Sequence, residues 1–325
     1  MGKEKTELIS VLMPVYNVKA YVEEAVNSVL NQTYKNIELV IVDDASTDGT
    51  YEVLLDLQKK DSRICLYHNE LNSKICKTLN KALKYAKGKL IARMDGDDIS
   101  VPRRLEVLKG YLDSHPDISL VGSWNIAIDE MGRCISPKKY PCGNIAIKKG
   151  NKFMSSVSHF WMARYEVYKE LNGYRNIPYA EDYDFLLRGE INGYKYANVA
   201  QYLYKMRIRQ GNTVSSNGLV QRKTFYYVRK LHKKEVSTRK DCFSEEDLKA
   251  AVKCTDAQKD RYNKSAEYLN AAVMNKANKT FLIINALRAA MGSQYIFRYL
   301  VSSVRFRMLI SKESRMISRI KHLGK

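Results

Sequence analysis

The sequence predicts an α/β protein: a Rossmann-like, mostly parallel sheet flanked by helices, followed by a helical C-terminal extension. Three observations carry that prediction. Short apolar runs of strand length alternate with helix-period segments over the first two-thirds of the chain, as βαβ units require. Three of those runs end in polar loops, PVYN at 14–17, DDAST at 43–47 and DGDD at 95–98. From about Gly218 onward the strand-like runs stop, and long helical patterns rich in Lys, Arg, Tyr and Ala take over.

The elements follow in order. Leu8 to Tyr16 is an apolar run of strand length, and AYVEEAVNSVLNQ then sets Val22, Ala25, Val26, Val29 and Leu30 on one helical face. Glu38 to Asp43 is a short β-branched strand, and Val53, Leu54 and Leu57 mark the helix after its loop. A strand over 64–68, a helix over 78–86 and a strand over 89–94 complete the front pattern. In a parallel sheet, ligands bind beyond the carboxyl ends of the strands. The three loops are therefore expected to converge on one crevice.

Hydrophobic residues make up 45% of the 325, enough to fill a core and to set global disorder aside. The six cysteines are scattered, with no CxxC pair, and read as free thiols of a reducing compartment rather than as disulfides or a zinc site. MGKEKTELIS passes directly from charge into a strand, without the apolar core of a secretory signal. The net charge of +20 is uneven. Residues 216–325 hold 24 Lys and Arg against 9 Asp and Glu, and the rest of the chain holds 31 against 26. A basic back end of this kind suits an anionic surface.

The stretch ARMDGDDIS places three carboxylates within four positions where an apolar strand ends. Buried like charges repel unless a cation compensates them. An Asp-x-Asp suits Mg²⁺ or Mn²⁺, which would bridge the phosphates of a nucleotide. Asp43 or Asp44 could accept hydrogen bonds from a base or ribose, and Tyr16 could stack on a base. Acidic pairs before Gly, Ser or Thr are also ordinary turn and cap signals. Taken together, the polar loops at the three strand ends favour a nucleotide–metal crevice over unrelated turns.

The run ISVLMPVYNVKAYVEEAVNSVLNQTYKNIELVIVDDASTDGT resembles the opening of a family 2 glycosyltransferase with the GT-A fold, of the bacterial surface-polysaccharide type. ARMDGDDISVPRRLE is similar to that family's metal-binding segment, and AEDYDFLLRGE at 180–190 to its acceptor-side segment. The likeness covers about two-thirds of the chain and fades near Ser215. It implies that Pro14 and Tyr16 flank the base, that Asp44 holds its imino edge and that Asp95 faces the ribose. Asp97 would ligate Mn²⁺ or Mg²⁺, and Asp98 would cap the next helix. Glu181 and Asp182 would form the acceptor-side pair, with Asp182 as catalytic base; the residues alone equally suit a helix N-terminus. His159 falls close to the expected diphosphate, and Trp161 is expected in the core or beside the acceptor. Two departures stand out. Arg209 occupies the place of a histidine beside Arg207, either arginine being suited to a diphosphate. Lys74 stands where relatives carry the glycine of Asn-x-Gly, and its ammonium would add positive charge near the phosphates.

An inverting transfer is a displacement at the anomeric carbon by an acceptor hydroxyl. It needs a base on one side and charge stabilisation on the other, hence two separate acidic sites. The expected domains are a nucleotide-sugar-dependent transferase over 1–217 and a basic helical region over 218–325. The expected donor is a nucleotide diphosphate sugar, UDP being favoured by the resemblance with GDP and dTDP open. The expected acceptor is a saccharide or a lipid-linked saccharide. The expected location is cytoplasmic, with peripheral contact to the inner face of an anionic membrane through residues 276–325. No run there reaches the ~20 apolar residues of a spanning helix. A sugar-nucleotide nucleotidyltransferase would carry a Gly-rich basic loop after the first strand, which PVYNVKAYV lacks. A nucleic-acid-binding protein would need interleaved basic and aromatic residues on a surface motif, and none is present.

Overall fold

A computed structural model describes residues 7–209, 213–275 and 277–323, the side chains of 213–216 and 316–323 aside. The chain divides into two compact units, one of residues 1–148 with 155–210 and one of 149–154 with 211–325.

The first unit opens with β1 (Ile9–Val15), α1 (Lys19–Leu30), β2 (Ile37–Asp43), α2 (Thr50–Lys60), β3 (Ile64–His68), α3 (Lys74–Tyr85) and β4 (Leu90–Arg93). Then come β5 (Ile99–Ser100), α4 (Arg104–Ser114), β6 (Leu120–Ile128), β7 (Cys134–Lys138) and α5 (Asn144–Asn151). It closes with β8 (Met162–Arg164), α6 (Tyr165–Glu170), α7 (Glu181–Ile191) and β9 (Tyr196–Arg207). The strands form one sheet in the order β3-β2-β1-β4-β8-β6-β9-β5, with β7 beside β6. Strands β3, β2, β1 and β4 are mutually parallel, as the alternation predicts. The other half is mixed: β8 runs antiparallel between β4 and β6, and only β6 and β9 pair in parallel there.

Every residue of β1 and β2 is buried, which explains their continuous apolar character. Along β1, Ile9, Val11, Met13 and Val15 join Val22, Leu54 and Leu105 on one face of the sheet. Leu12 joins Leu79, Val167 and Phe185 on the other. Val22, Ala25, Val26, Val29 and Leu30 are the buried face of α1, as their spacing requires. Helix α3 begins four residues earlier than its apolar period indicates. Its first amides are capped from a distance, by the carboxylate of Asp44, which accepts from Ser73 N at 2.8 Å and Lys74 N at 2.9 Å. A local pattern carries no trace of such a cap.

The second unit is helical: α8 (Thr213–Thr238, kinked at Asn217), α9 (Glu245–Val252), α10 (Asp256–Met274), α11 (Lys279–Gly292) and α12 (Gln294–Leu323). Ser244 caps α9, Thr255 and Gln258 form a capping box on α10, and Asn278 caps α11. Leu219, Tyr262, Ala289 and Ile296 form its small core. Among the described residues no helix is long and apolar enough to cross a membrane.

Candidate active site

The loops leaving β1, β2 and β4 meet, as expected. Asn17, in a left-handed conformation at φ 51°, donates its amide to Ser46 Oγ at 3.0 Å, and its side chain accepts from Thr47 N at 2.8 Å. Asp44 N donates to Val15 O at 2.9 Å. The glycine between Asp95 and Asp97 has a steric reason: a Cβ on Gly96 would stand 2.5 Å from Val15 Cγ1. Only glycine lets the acidic loop lie this close to the end of β1.

Pro14 is a buried residue next to the end of β1, and Tyr16 just beyond the strand is 46% exposed, leaving its ring open to a partner. Asp44 is buried and accepts from Asn69 Nδ2 at 2.7 Å as well as from Ser73 N and Lys74 N. A carboxylate offers about four lone-pair sites, so three of these donors leave room for one more. Lys74 sits at φ 66°, the conformation a glycine would adopt without strain. Asp43, its neighbour, holds His68 Nδ1 at 2.9 Å.

Asp95 stands at the centre of the acidic cluster. Its Oδ2 lies 3.1 Å from His159 Nε2, and the other ring nitrogen of His159 lies 3.7 Å from Asp182 Oδ2. Its Oδ1 lies 3.6 Å from Arg93 Nε, while Arg93 Nη2 reaches Glu181 Oε1 at 3.0 Å. The carboxylates expected on the donor and acceptor sides are thus linked twice, through a histidine and through a buried arginine. Burial pushes the Asp95 carboxyl up, but Arg93 and His159 outweigh it and hold it at about 2. Burial opposes the Arg93 charge, yet Asp95 and Glu181 keep its pKa well above the ordinary arginine value. Burial raises Glu181, against the pull of Arg93. Glu181 and Asp182 open α7, where the helix dipole favours acids, and Asp182 Oδ1 accepts from Tyr183 N at 2.7 Å.

Asp97 is ion-paired with Arg209, Nε to Oδ2 at 2.7 Å. Burial, then the charge of Asp95, raises its pKa. Asp98 does not cap α4, which starts at Arg104. It turns inward and accepts from Arg207 N at 2.6 Å, its pKa raised well above the usual value by burial and by Asp97 and Asp95. Arg207 departs from its expected place on a diphosphate. Its guanidinium is buried and donates to Asp97 O, Asp129 O, Glu130 O and Glu24, so it holds the loop from within. Trp161 is a core residue, its indole donating to Tyr168 Oη at 2.8 Å.

Three contributors escape the reading of motifs. Arg93 bridges Asp95 and Glu181. Arg104, fully buried, donates to Arg93 O at 2.6 Å and Phe160 O at 2.9 Å, bracing the strands beneath the cluster, and burial lowers its pKa to about 10. The Tyr204 hydroxyl accepts from Asp95 N at 3.2 Å. The signal for Arg93 lies in the strand itself. It is a buried cation at the last position of an otherwise apolar strand.

Comparison with known proteins places the chain. The family model for glycosyl transferase family 2 matches residues 10–172, and the chain belongs to that family. EpsE of Bacillus subtilis is 38% identical over 206 residues, 61% of this chain and 72% of that protein. The O-antigen biosynthesis glycosyltransferase WbnJ of Escherichia coli is 32% identical over 238 residues, 71% of this chain and 92% of that one. The crystal structure of S. aureus TarS 1-349 in complex with UDP-GlcNAc superimposes with a TM-score of 0.59 at 19% identity, covering 98% of this chain and 92% of that one. The mannosyltransferase PcManGT of Pyrobaculum calidifontis, in complex with GDP-Man and Mn²⁺, gives 0.54 at 16% identity, covering 97% and 86%. These two likenesses show the GT-A-like fold. The protein is a bacterial-type family 2 glycosyltransferase with the sequence kinship of enzymes of polysaccharide biosynthesis.

Proposed function

We propose that this glycosyltransferase inverts: it moves a sugar from a nucleotide diphosphate sugar, UDP-linked in the leading reading, to the hydroxyl of a saccharide or lipid-linked acceptor in cell-surface polysaccharide or glycolipid synthesis. The observation that carries the proposal is His159, which lies between Asp95 and Asp182 and so sets two carboxylates on either side of one ring. TarS and PcManGT, seen with UDP-GlcNAc and GDP-Man, support the donor class.

In this reading Pro14 and the exposed ring of Tyr16 flank the base, and the remaining lone pair of Asp44 accepts its imino N–H. Lys74 and Arg209 turn positive charge toward the diphosphate, and Asp95 faces the ribose. Asp182 takes the proton of the acceptor hydroxyl while the oxygen attacks the anomeric carbon. The new C–O bond forms as the bond to the diphosphate breaks, and the configuration inverts. Glu181, anchored on Arg93, and His159 hold Asp182 in place. The domain limits of the reading are residues 1–217 for catalysis and 218–325 for the basic helical region.

A divalent cation fits the residues present. Among the described residues no cluster of three or more His, Cys, Asp or Glu side chains is set for a metal. Mg²⁺ and Mn²⁺ in nucleotide sites need only one or two carboxylates, the phosphates and water completing the shell. Asp97 would hold the ion. Its pKa is raised by burial first and then by the charge of Asp95, a repulsion that a cation would relieve, and Asp95 Oδ1 is a buried oxygen without a hydrogen-bond partner. Such an ion supplies Lewis-acid stabilisation of the departing diphosphate.

The test is calorimetric titration of UDP, GDP and dTDP with and without Mn²⁺, on the native protein and on Asp97→Ala. Metal-dependent binding of one nucleotide, lost in the variant, is the expected result. Asp182→Asn should bind that nucleotide unchanged while turnover falls about 10²–10⁴-fold. Failure of all three nucleotides to bind with metal present would overturn the reading.

A further inference from the structure

Helix α11 is turned inside out. Its polar Asn285 is 5% exposed and faces inward with Ala289, donating from Nδ2 to Phe281 O at 3.0 Å. Its bulky apolar residues point the other way: Ile283, Leu287 and Met291 are 55%, 57% and 80% exposed. A helix whose only task is to pack on a protein core shows the opposite pattern. Helix α12 continues the face, with Phe297, Val304 and Met308 all more than half exposed. The two helices line an apolar groove of about 550 Å³. Contiguous exposed apolar surface of this kind marks a partner.

Charge identifies the partner. Arg298, Arg305 and Lys312 recur every seventh residue on α12 and are exposed, two of them directly following the outward Phe297 and Val304; Arg288 is exposed on α11. Residues 276–325 hold eleven Lys and Arg and a single acid, Glu313, which is 9% exposed and so withdrawn from the surface. A second copy of the chain would bring these cations against one another, a repulsive arrangement. An anionic lipid surface satisfies both features at once. Its headgroup boundary takes apolar side chains to a depth of about 5–10 Å, and each nearby Lys or Arg adds about fivefold in affinity. We propose that the outward face of α11 and α12 docks on anionic bilayers, with Leu287 and Met291 entering the acyl boundary and Arg288, Arg298, Arg305 and Lys312 meeting lipid phosphates. The proposal rests on the second unit alone and is independent of the chemistry of the crevice.

The test is co-sedimentation of the full chain with vesicles of phosphatidylcholine alone and of phosphatidylcholine with phosphatidylglycerol in equal parts. Binding is expected to the second and not the first, weakening as salt rises. Leu287→Ser/Met291→Ser changes exposed positions only, so the melting profile should be kept while vesicle affinity falls about thirtyfold. Arg305→Gln/Lys312→Gln should lower it about thirtyfold as well. The same variants should bind nucleotide as the native protein does, which separates this proposal from the one for the crevice. Absence of vesicle binding, or binding that both double variants retain, overturns the proposal. So does sedimentation equilibrium showing self-association that Leu287→Ser/Met291→Ser abolishes in a protein that never binds vesicles, because the face then joins two copies.

Discussion

Arg93 Nη2 lies 3.0 Å from Glu181 Oε1, with both side chains less than a tenth exposed and Asp95 Oδ1 3.6 Å from the Nε of the same guanidinium. This cation is what permits acids to gather at the end of β4. Removing one partner of a buried pair leaves an uncompensated charge, which costs about 3–5 kcal/mol. Arg93→Met should therefore lose that much unfolding free energy in urea. Adding Glu181→Gln to it should restore part of the loss, since the double variant has one buried charge fewer. A double variant as unstable as the sum of the two singles would show that the pair does not act together.

The Arg209 guanidinium holds Asp97 Oδ2 at 2.7 Å, on the carboxylate that the proposed metal would need. In the proposed site a metal ion and the arginine would compete for Asp97 until a diphosphate gave Arg209 another anion to hold. Arg209→Gln should bind Mn²⁺ several-fold more tightly in the absence of nucleotide, by removing the competitor. It should bind the nucleoside diphosphate about tenfold more weakly, as loss of one charge-assisted contact implies. Calorimetry reads both, and a variant weaker for both ligands would mean that Arg209 supports Asp97 rather than competing for it.

The parallel half of the sheet was legible because β1 and β2 are buried on both faces, and uninterrupted apolar runs have few other homes. The α1 face was legible for the same reason, one stripe meeting one core. The start of α3 was not, because its cap is Asp44, 30 residues away in sequence. Nor was the mixed half of the sheet, where β8 has three residues and its place is decided by β4 and β6. At the site, the crowded carboxylates announced a missing cation, and spacing did not reveal that Arg93, in the same nonapeptide as Asp95 and Asp97, was part of the answer. Arg207 and Arg209 look alike in sequence. Only the fold distinguishes the one buried among carbonyls from the one that faces Asp97.

Lys74 holds φ 66°, a conformation that costs a side chain about 1 kcal/mol and a glycine nothing, while its amide caps on Asp44 at 2.9 Å. Lys74→Gly should relieve that strain and, after the greater freedom of glycine in the unfolded chain is subtracted, leave thermal stability within about 1 kcal/mol of the native value. Lys74→Ala keeps the strain and should be no more stable than the native protein. If the ammonium serves the diphosphate, both variants lose nucleotide affinity equally although their stabilities differ. Full nucleotide affinity in both would remove Lys74 from the donor site.

The acid response of the fold follows from opposed shifts. Asp95 has its carboxyl lowered from 3.8 to about 2 in the folded chain, burial being outweighed by Arg93 and His159. A depressed carboxyl stabilises the fold above its unfolded pKa and loses that contribution as pH falls through the folded value. For Asp95 this amounts to on the order of 2 kcal/mol, present above about pH 4 and lost toward about pH 2. Glu181, Asp97 and Asp98 are raised, chiefly by burial, so the folded chain binds their protons more tightly and they act in the opposite direction. The native stability curve mixes the two, and Asp95→Asn separates them. Measured in EDTA, the difference in unfolding free energy between the native protein and Asp95→Asn should shrink by about 2 kcal/mol from about pH 5 to about pH 2. A difference that stays flat across that range would mean that Arg93 and His159 do not hold Asp95 in its charged form, and the double link from Asp95 to Glu181 and Asp182 would lose its electrostatic basis.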